Sequence, residues 1–128
     1  MDAKLVEMEF KHKEMQNALK PILLAEGYDK VYLEKDCVDM KAFTKYGQKH
    51  FFELKVYSAK ESIREALGQI LEYAHYPQNT KAKKLFIVSP EPPTEDDRNY
   101  MEFLRETYKL PVWFRYYSFE ENKLYHEI

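Results

Sequence analysis

Two carboxylates and a lysine occupy adjoining segments of this chain in an arrangement suited to chemistry on phosphate. Asp39 lies in Cys37-Val38-Asp39-Met40, and Glu53 and Lys55 lie in Phe51-Phe52-Glu53-Leu54-Lys55-Val56. Read as the two strands of a hairpin, these segments put one acid on each strand and a lysine two residues after the second acid. Mg²⁺ keeps most of its waters and takes one or two protein carboxylates, so one acid from each strand can share an ion. A lysine beside them can hold or deprotonate an attacking water and offset the charge of a phosphate. The chemistry indicated is metal-dependent hydrolysis of a phosphodiester.

Strand alternation sets a condition on this reading. Side chains alternate faces along a strand. The even positions Val38, Met40, Ala42 and Thr44, with His50, Phe52, Leu54 and Val56, are mainly apolar and read as the core face. Asp39, Glu53 and Lys55 are all odd and share the other face. The two odd faces coincide only if paired residue numbers sum to an even value. A two-residue Tyr46-Gly47 turn gives an odd sum, so the reading requires a three- or five-residue loop, or a bulge, around Gly47. A slip of one residue would send the two acids to opposite faces.

A helical Gln69-x-x-x-Tyr73 follows, its two residues one turn apart on a shared face with Ser62, Ala66 and Tyr76. Asp39, then Glu53-x-Lys55, then Gln69-x-x-x-Tyr73 resembles the PD-(D/E)xK nuclease superfamily, whose fold is that of restriction endonucleases. The glutamine–tyrosine helix is most similar to that of the RecB-like branch. Val38 stands where the nominal motif has proline. The resemblance spans roughly residues 10–117. It implies that Asp39, Glu53 and the main-chain carbonyl of Leu54 bind Mg²⁺ or Mn²⁺, with Lys55 at the water. Gln69 and Tyr73 would orient backbone or solvent. DNA is the substrate it implies, and 5′-phosphate ends the products. Relatives often bring an acid from the first helix to the metal. Glu14 is the candidate here, in competition with Glu7 and Glu9, and Glu34 is a further outer acid.

The elements that must position these residues are legible in outline. Residues 3–26 read as a helix with Leu5, Met8, Met15, Leu19, Ile22 and Leu23 near a 3.6-residue period. Pro21 inside it predicts a kink or a break, and Gly27 ends it. A short strand over 31–34 precedes the hairpin. A second helix starts at Ser58 or Lys60 and runs to His75, stopped by Pro77. Residues 83–88 form a strand whose Leu85-Phe86-Ile87-Val88 run suits burial on both faces. Thr94 and Asp97 suggest a capping box for a helix running to Tyr108. Strands follow over 112–117 and, at the edge, 123–126. The order α-β-β-β-α-β-α-β predicts an α/β fold with a mixed central sheet flanked by helices. That order is also what the resemblance implies. One compact domain over residues 1–128 is expected.

Composition narrows the class. Hydrophobic residues make up 45% of the 128-residue chain, enough for a core. No apolar run reaches the roughly 20 residues of a membrane span, and no apolar leader opens the chain. Cys37 is the one cysteine, which excludes an intramolecular disulfide, and no Cys/His zinc cluster is visible. A cytoplasmic, reducing compartment is the expectation. His12, His50, His75 and His126 show no ligand spacing.

The net charge of −2 does not advertise nucleic-acid binding, but its distribution is uneven. Residues 40–84 carry nine Lys/Arg against four Asp/Glu, a basic block over the acid pair. Lys41, Lys45, Lys49, Lys60 and Arg64 are therefore read as flanking a phosphate backbone. The plainer alternative is a solvated lysine-rich hairpin. The run Pro111-Val112-Trp113-Phe114-Arg115-Tyr116-Tyr117 reads as core plus an exposed sheet edge, which predicts a homodimer, or a larger complex, through the C-terminal strands. Two other functions compete with the nuclease. One is a catalytically silent nucleic-acid-binding module of the same fold. The other is a protein-interaction or assembly domain.

Overall fold

The computed structural model describes residues 2–36, 38–76 and 81–128. Cys37, the lone thiol, and Pro77, the expected helix stop, lie outside the described residues. Helix α1 spans Ala3–Glu26, strand β1 Lys30–Lys35, β2 Val38–Phe43 and β3 Lys49–Leu54. Helix α2 (Ala59–His75), β4 (Ala82–Ser89), α3 (Glu95–Tyr108), β5 (Val112–Ser118) and β6 (Lys123–Leu124) follow. This is the α/β order expected from the sequence. The strands form one mixed sheet in the order β1-β2-β3-β4-β5-β6. β1, β2 and β3 are antiparallel neighbours, β3-β4 and β4-β5 run parallel, and β6 returns antiparallel to β5. Each parallel pair is joined by a helix, as a crossover requires.

The helix ends follow the local chemistry. Asp2 caps α1 through the amide of Lys4, and Ser58 caps α2 through that of Glu61. Thr94 and Asp97 form the expected reciprocal capping box on α3. Gly27 closes α1 at φ 113°, a left-handed conformation with no penalty for glycine. The predicted break at Pro21 does not occur, and α1 is one helix. The missing N–H of Pro21 deprives only the carbonyl of Asn17, and both residues lie on the exposed side, where water can serve that carbonyl.

The sheet is covered on both faces. Met15, Leu19 and Leu23 of α1 pack on Met40, Ala42, Phe52, Leu54, Phe86 and Val88. On the other face Ile63, Ala66 and Ile70 of α2, with Met101 and Leu104 of α3, cover Phe51, Leu85, Ile87, Val112 and Phe114. Leu85 to Val88 are all buried, as their unbroken apolar run implied. The odd-numbered face of the hairpin is thus not an open surface: Lys41, Phe51 and Glu53 are buried with the core.

The aromatic strand is not a free edge. The outer side of β5 pairs with β6, and the chain continues alongside it through Tyr125 N–H to Tyr116 O (2.8 Å) and a reciprocal pair between Phe114 and Ile128 (3.0 and 2.9 Å). β5 therefore has no unpaired ladder, and β6 with the residues after it lies along its outer side. Trp113 is engaged within the chain, with Lys84 Nζ 4.6 Å and the Arg105 guanidinium 5.3 Å from its ring. Among the described residues, no helix is long and apolar enough to cross a membrane.

Candidate active site

The hairpin has the register that the acid pair requires. Met40 pairs with Phe52 and Phe43 with Lys49, leaving a five-residue loop in which Thr44 N–H bonds Gln48 O at 2.9 Å and Gly47 takes φ 80°. Carried one residue past Met40 and Phe52, this register sets Asp39 opposite Glu53. On the other side of β2, the pairs Leu33–Met40 and Lys35–Val38 place Glu34 opposite Asp39. Three acids therefore stand in a row across β1, β2 and β3, at the end of the sheet where β2 begins and β3 finishes.

Alternation fails at Asp39. Met40 packs with α1, whereas Val38 belongs to the core under α2 and α3, although both are even-numbered. Opposite the break, Glu34 holds a φ of 48°, which is uncommon for a residue with a side chain. Asp39 is turned toward α1. Its Oδ2 lies 3.3 Å from His12 Nε2 and accepts the backbone N–H of Leu54 at 2.9 Å. Gln16, one turn after His12, donates its side-chain amide to the Asp39 carbonyl at 2.9 Å. The main-chain amide of Lys55 bonds Val88 O at 2.9 Å, which ties the end of β3 to the middle of the sheet.

The electrostatics follow from this crowding. Glu53 is only 5% exposed. Burial, and then the charge and hydrogen bond of Asp39, push its carboxyl up to about 7, while Lys55 pulls the other way from 3.6 Å. His12 titrates above its ordinary value, chiefly through its hydrogen bond to Asp39, with the charges of Glu53 and Glu34 adding and burial opposing. A carboxylate pair with one member buried and double ionisation disfavoured accommodates a hard cation, and Mg²⁺ binds through one or two carboxylates and water. The donor set fits such an ion. Among the described residues, no group of three or more His, Cys, Asp or Glu side chains is arranged to hold a metal. The protein donors on offer are the pair and neighbouring main chain.

These residues line a cleft of about 420 Å³ between the first half of α1 and the ends of β2 and β3. Asp39, Glu53, Leu54 and Lys55 come together there as the sequence suggested, with Glu34 beside them. Of the candidate helix acids, Glu9 lines the cleft. Glu14 is exposed and does not, and its charge acts on Tyr117 instead. One turn of helix separates His12 and Gln16, and sequence reasoning gave neither a role. The available signal was a polar i, i+4 pair beside the stripe of Met8, Met15 and Leu19.

Gln69 and Tyr73 do not line this cleft. Tyr73 packs against the core under α2, and Gln69 Oε1 is buried with no hydrogen-bond partner among the described residues. The basic residues also part company. Lys41 is buried, with Nζ 2.6 Å from Asp36 Oδ2 and 5.2 Å above the Phe51 ring, so it is no solvent-facing phosphate contact. Lys45 and Lys49 sit at the hairpin-loop end of the strands, away from the acids. Lys60 and Arg64 line a different cleft, of about 790 Å³, between α2 and α3. The basic block of the sequence is not a basic patch around the acid pair.

Compared with known protein families, with curated proteins and with solved structures, the chain matches none.

Proposed function

We propose that this protein is a Mg²⁺- or Mn²⁺-dependent nuclease of restriction-endonuclease-like fold that hydrolyses phosphodiester bonds of DNA. The observation that carries the reading is the apposition of Asp39 and Glu53 at one sheet end, with Lys55 Nζ 3.6 Å from Glu53. Asp39, Glu53 and the Leu54 carbonyl would hold a hard divalent ion, which would supply positive charge to acidify a water and steady the phosphate. Asp39 is fixed for this role at both ends, its carboxylate by the Leu54 amide and His12, its carbonyl by Gln16. Lys55 lines the cleft just beyond the end of the strand that carries Glu53. There it orients the attacking water, relays its proton and offsets charge growing on phosphorus-bound oxygen. Glu53, buried and forced toward its neutral form, would release its proton to solvent on binding a cation.

The test is incubation of the purified protein with linear and circular DNA in Mg²⁺, in Mn²⁺ and in chelator, beside an Asp39→Ala control. The expected result is cleavage that needs the ion and is lost in the variant. Cleavage that survives chelation, or equal nicking by Asp39→Ala, would exclude this site. DNA binding without metal-stimulated cleavage would identify a silent binding module instead.

A further inference from the structure

The first three turns of α1 are thinly covered. No residue of the segment 3–14 is buried, and the helix first enters the core at Met15. This arm is nevertheless rich in apolar side chains: Leu5, Val6 and Phe10 are 52%, 47% and 70% exposed. Leu5 lines the acid-pair cleft, but Val6 and Phe10 do not. Those two lie about one turn apart on the outer side of the helix, away from Met15 and Leu19. A helix in a folded protein draws most of its stability from packing an apolar face, and apolar surface left open in this way marks an interaction site. The charges beside the stripe are sorted. At about 100° per residue, Glu7 and Glu14 follow one edge and Lys13 the other. Lys4 and Lys11 lie behind the glutamates, and Glu9 behind Lys13.

The cleft of about 790 Å³ between α2 and α3 has the matching form. Ala59, Ile63 and Leu67 of α2 and Pro92 ahead of α3 give it an apolar lining, to which α3 adds the exposed ring of Tyr100. Its charges are segregated by element. Lys60 and Arg64, one turn apart, are the charged residues that α2 contributes, and Glu91, Asp96 and Asp97 are those of the α3 side. Asp97 is committed to the capping box with Thr94, which leaves Glu91 and Asp96 as the acidic wall. An apolar groove between two helices takes the apolar face of a third. A basic wall facing an acidic one sets which way round that third helix lies. The α1 stripe, with acids along one edge and a lysine along the other, carries the complementary pattern. Stripe and groove belong to opposite faces of the sheet, so they cannot meet within one molecule.

We propose that a second copy of this chain occupies the groove. The α1 arm of one copy lies between α2 and α3 of another, with Val6 and Phe10 against Ile63, Leu67 and Tyr100. Glu7 and Glu14 then stand beside Lys60 and Arg64, and Lys13 beside Asp96. The contact joins a patch on one copy to a pocket on the next, so it is heterologous. It stands apart from the nuclease reading, and its test needs no nucleic acid. The full chain is sedimented at low salt over a wide range of concentration. Wild type is expected to self-associate as concentration rises. The arm variant Phe10→Glu and the groove variant Lys60→Glu/Arg64→Glu are each expected to weaken association at least about tenfold, the loss of an interface anchor. All three positions are exposed, and a thermal melt of each variant establishes that it is folded. The decisive sample is an equal mixture of the two variants. The intact groove of the arm variant can take the intact arm of the groove variant, so the mixture is expected to form a one-to-one complex and nothing larger, although neither variant associates alone. A wild type that is monomeric at every concentration, association that survives either variant, or a mixture that stays monomeric overturns the proposal.

Discussion

Nε2 of His12 lies 3.3 Å from Oδ2 of Asp39, so the first helix is tied to the second strand beside the acid pair. This contact joins elements distant in sequence and makes α1 part of the site. His12→Ala removes one of the groups holding the Asp39 carboxylate and leaves the Leu54 amide in place. Loss of such a supporting contact typically costs about 10–100-fold in activity or metal affinity. We expect a drop of that size in Mg²⁺-dependent cleavage and a near-normal melting temperature, since the His12 side chain is partly exposed. Cleavage rate and thermal melt, measured on the same preparation, check it.

Lys55→Ala should reduce turnover far more than affinity. A side chain that assists proton transfer typically contributes about 10²–10⁴-fold to the rate. Single-turnover cleavage should fall by that factor while DNA affinity in Ca²⁺ changes by less than about threefold, because the loss of a proton-transfer group acts on the chemical step. A parallel loss in both measurements would make Lys55 a phosphate contact only.

Glu53 predicts an inverse dependence of stability on pH in metal-free protein. Its carboxyl titrates near 7 when folded and near 4.5 when exposed. Between these values the folded state keeps a proton that the unfolded state releases. Stability is therefore greatest below about pH 4.5 as far as this group is concerned, and is lost as pH rises through 7. Glu53→Gln removes the effect. At pH 8 in chelator it should be more stable than wild type by on the order of 1–3 kcal/mol. Saturating Mg²⁺ should reverse the order, because only the carboxylate gains from the ion. Denaturant melts with and without Mg²⁺ provide the measurement.

His50 predicts the opposite slope at acid pH. Burial, reinforced by the charge of Lys84, holds its imidazole below the ordinary value, and Nδ1 meets the Tyr28 hydroxyl at 2.6 Å. Below pH 6.5 the unfolded chain takes up a proton that the folded chain refuses, so stability falls with acidity until the folded group also protonates. His50→Gln cannot titrate. Its melting temperature should decline less than that of wild type from pH 6.5 toward pH 5, by calorimetry in chelator.

The register of the site was legible because residues alternate faces along most of the hairpin. An even register was required by Asp39, Glu53 and the apolar set Met40, Ala42, Phe52 and Leu54, and the five-residue loop at Gly47 supplies it. The capping box at Thr94 and the buried Leu85–Val88 run were legible for the same reason, since each depends on neighbours in sequence. What failed depended on distant cover. Parity put Lys41 on the face of Asp39, but nothing local says that the Phe51 ring and Asp36 enclose it. His12 and Gln16 meet Asp39 only after α1 has docked on the sheet. The break in alternation at Asp39 requires the left-handed Glu34 of another strand. The break considered at Pro21 does not occur because the carbonyl it orphans faces water, and exposure is not written in the residue itself.

The bond from the Leu54 amide to Asp39 Oδ2 also makes the site observable from within. An amide that donates to a carboxylate shifts its proton and nitrogen resonances when that carboxylate changes charge or is drawn to a cation. A single assigned cross-peak, that of Leu54, would register ion loading at Asp39 in solution, residue by residue and without any substrate. The Lys55 amide, bonded to Val88 in the next strand, is its internal control.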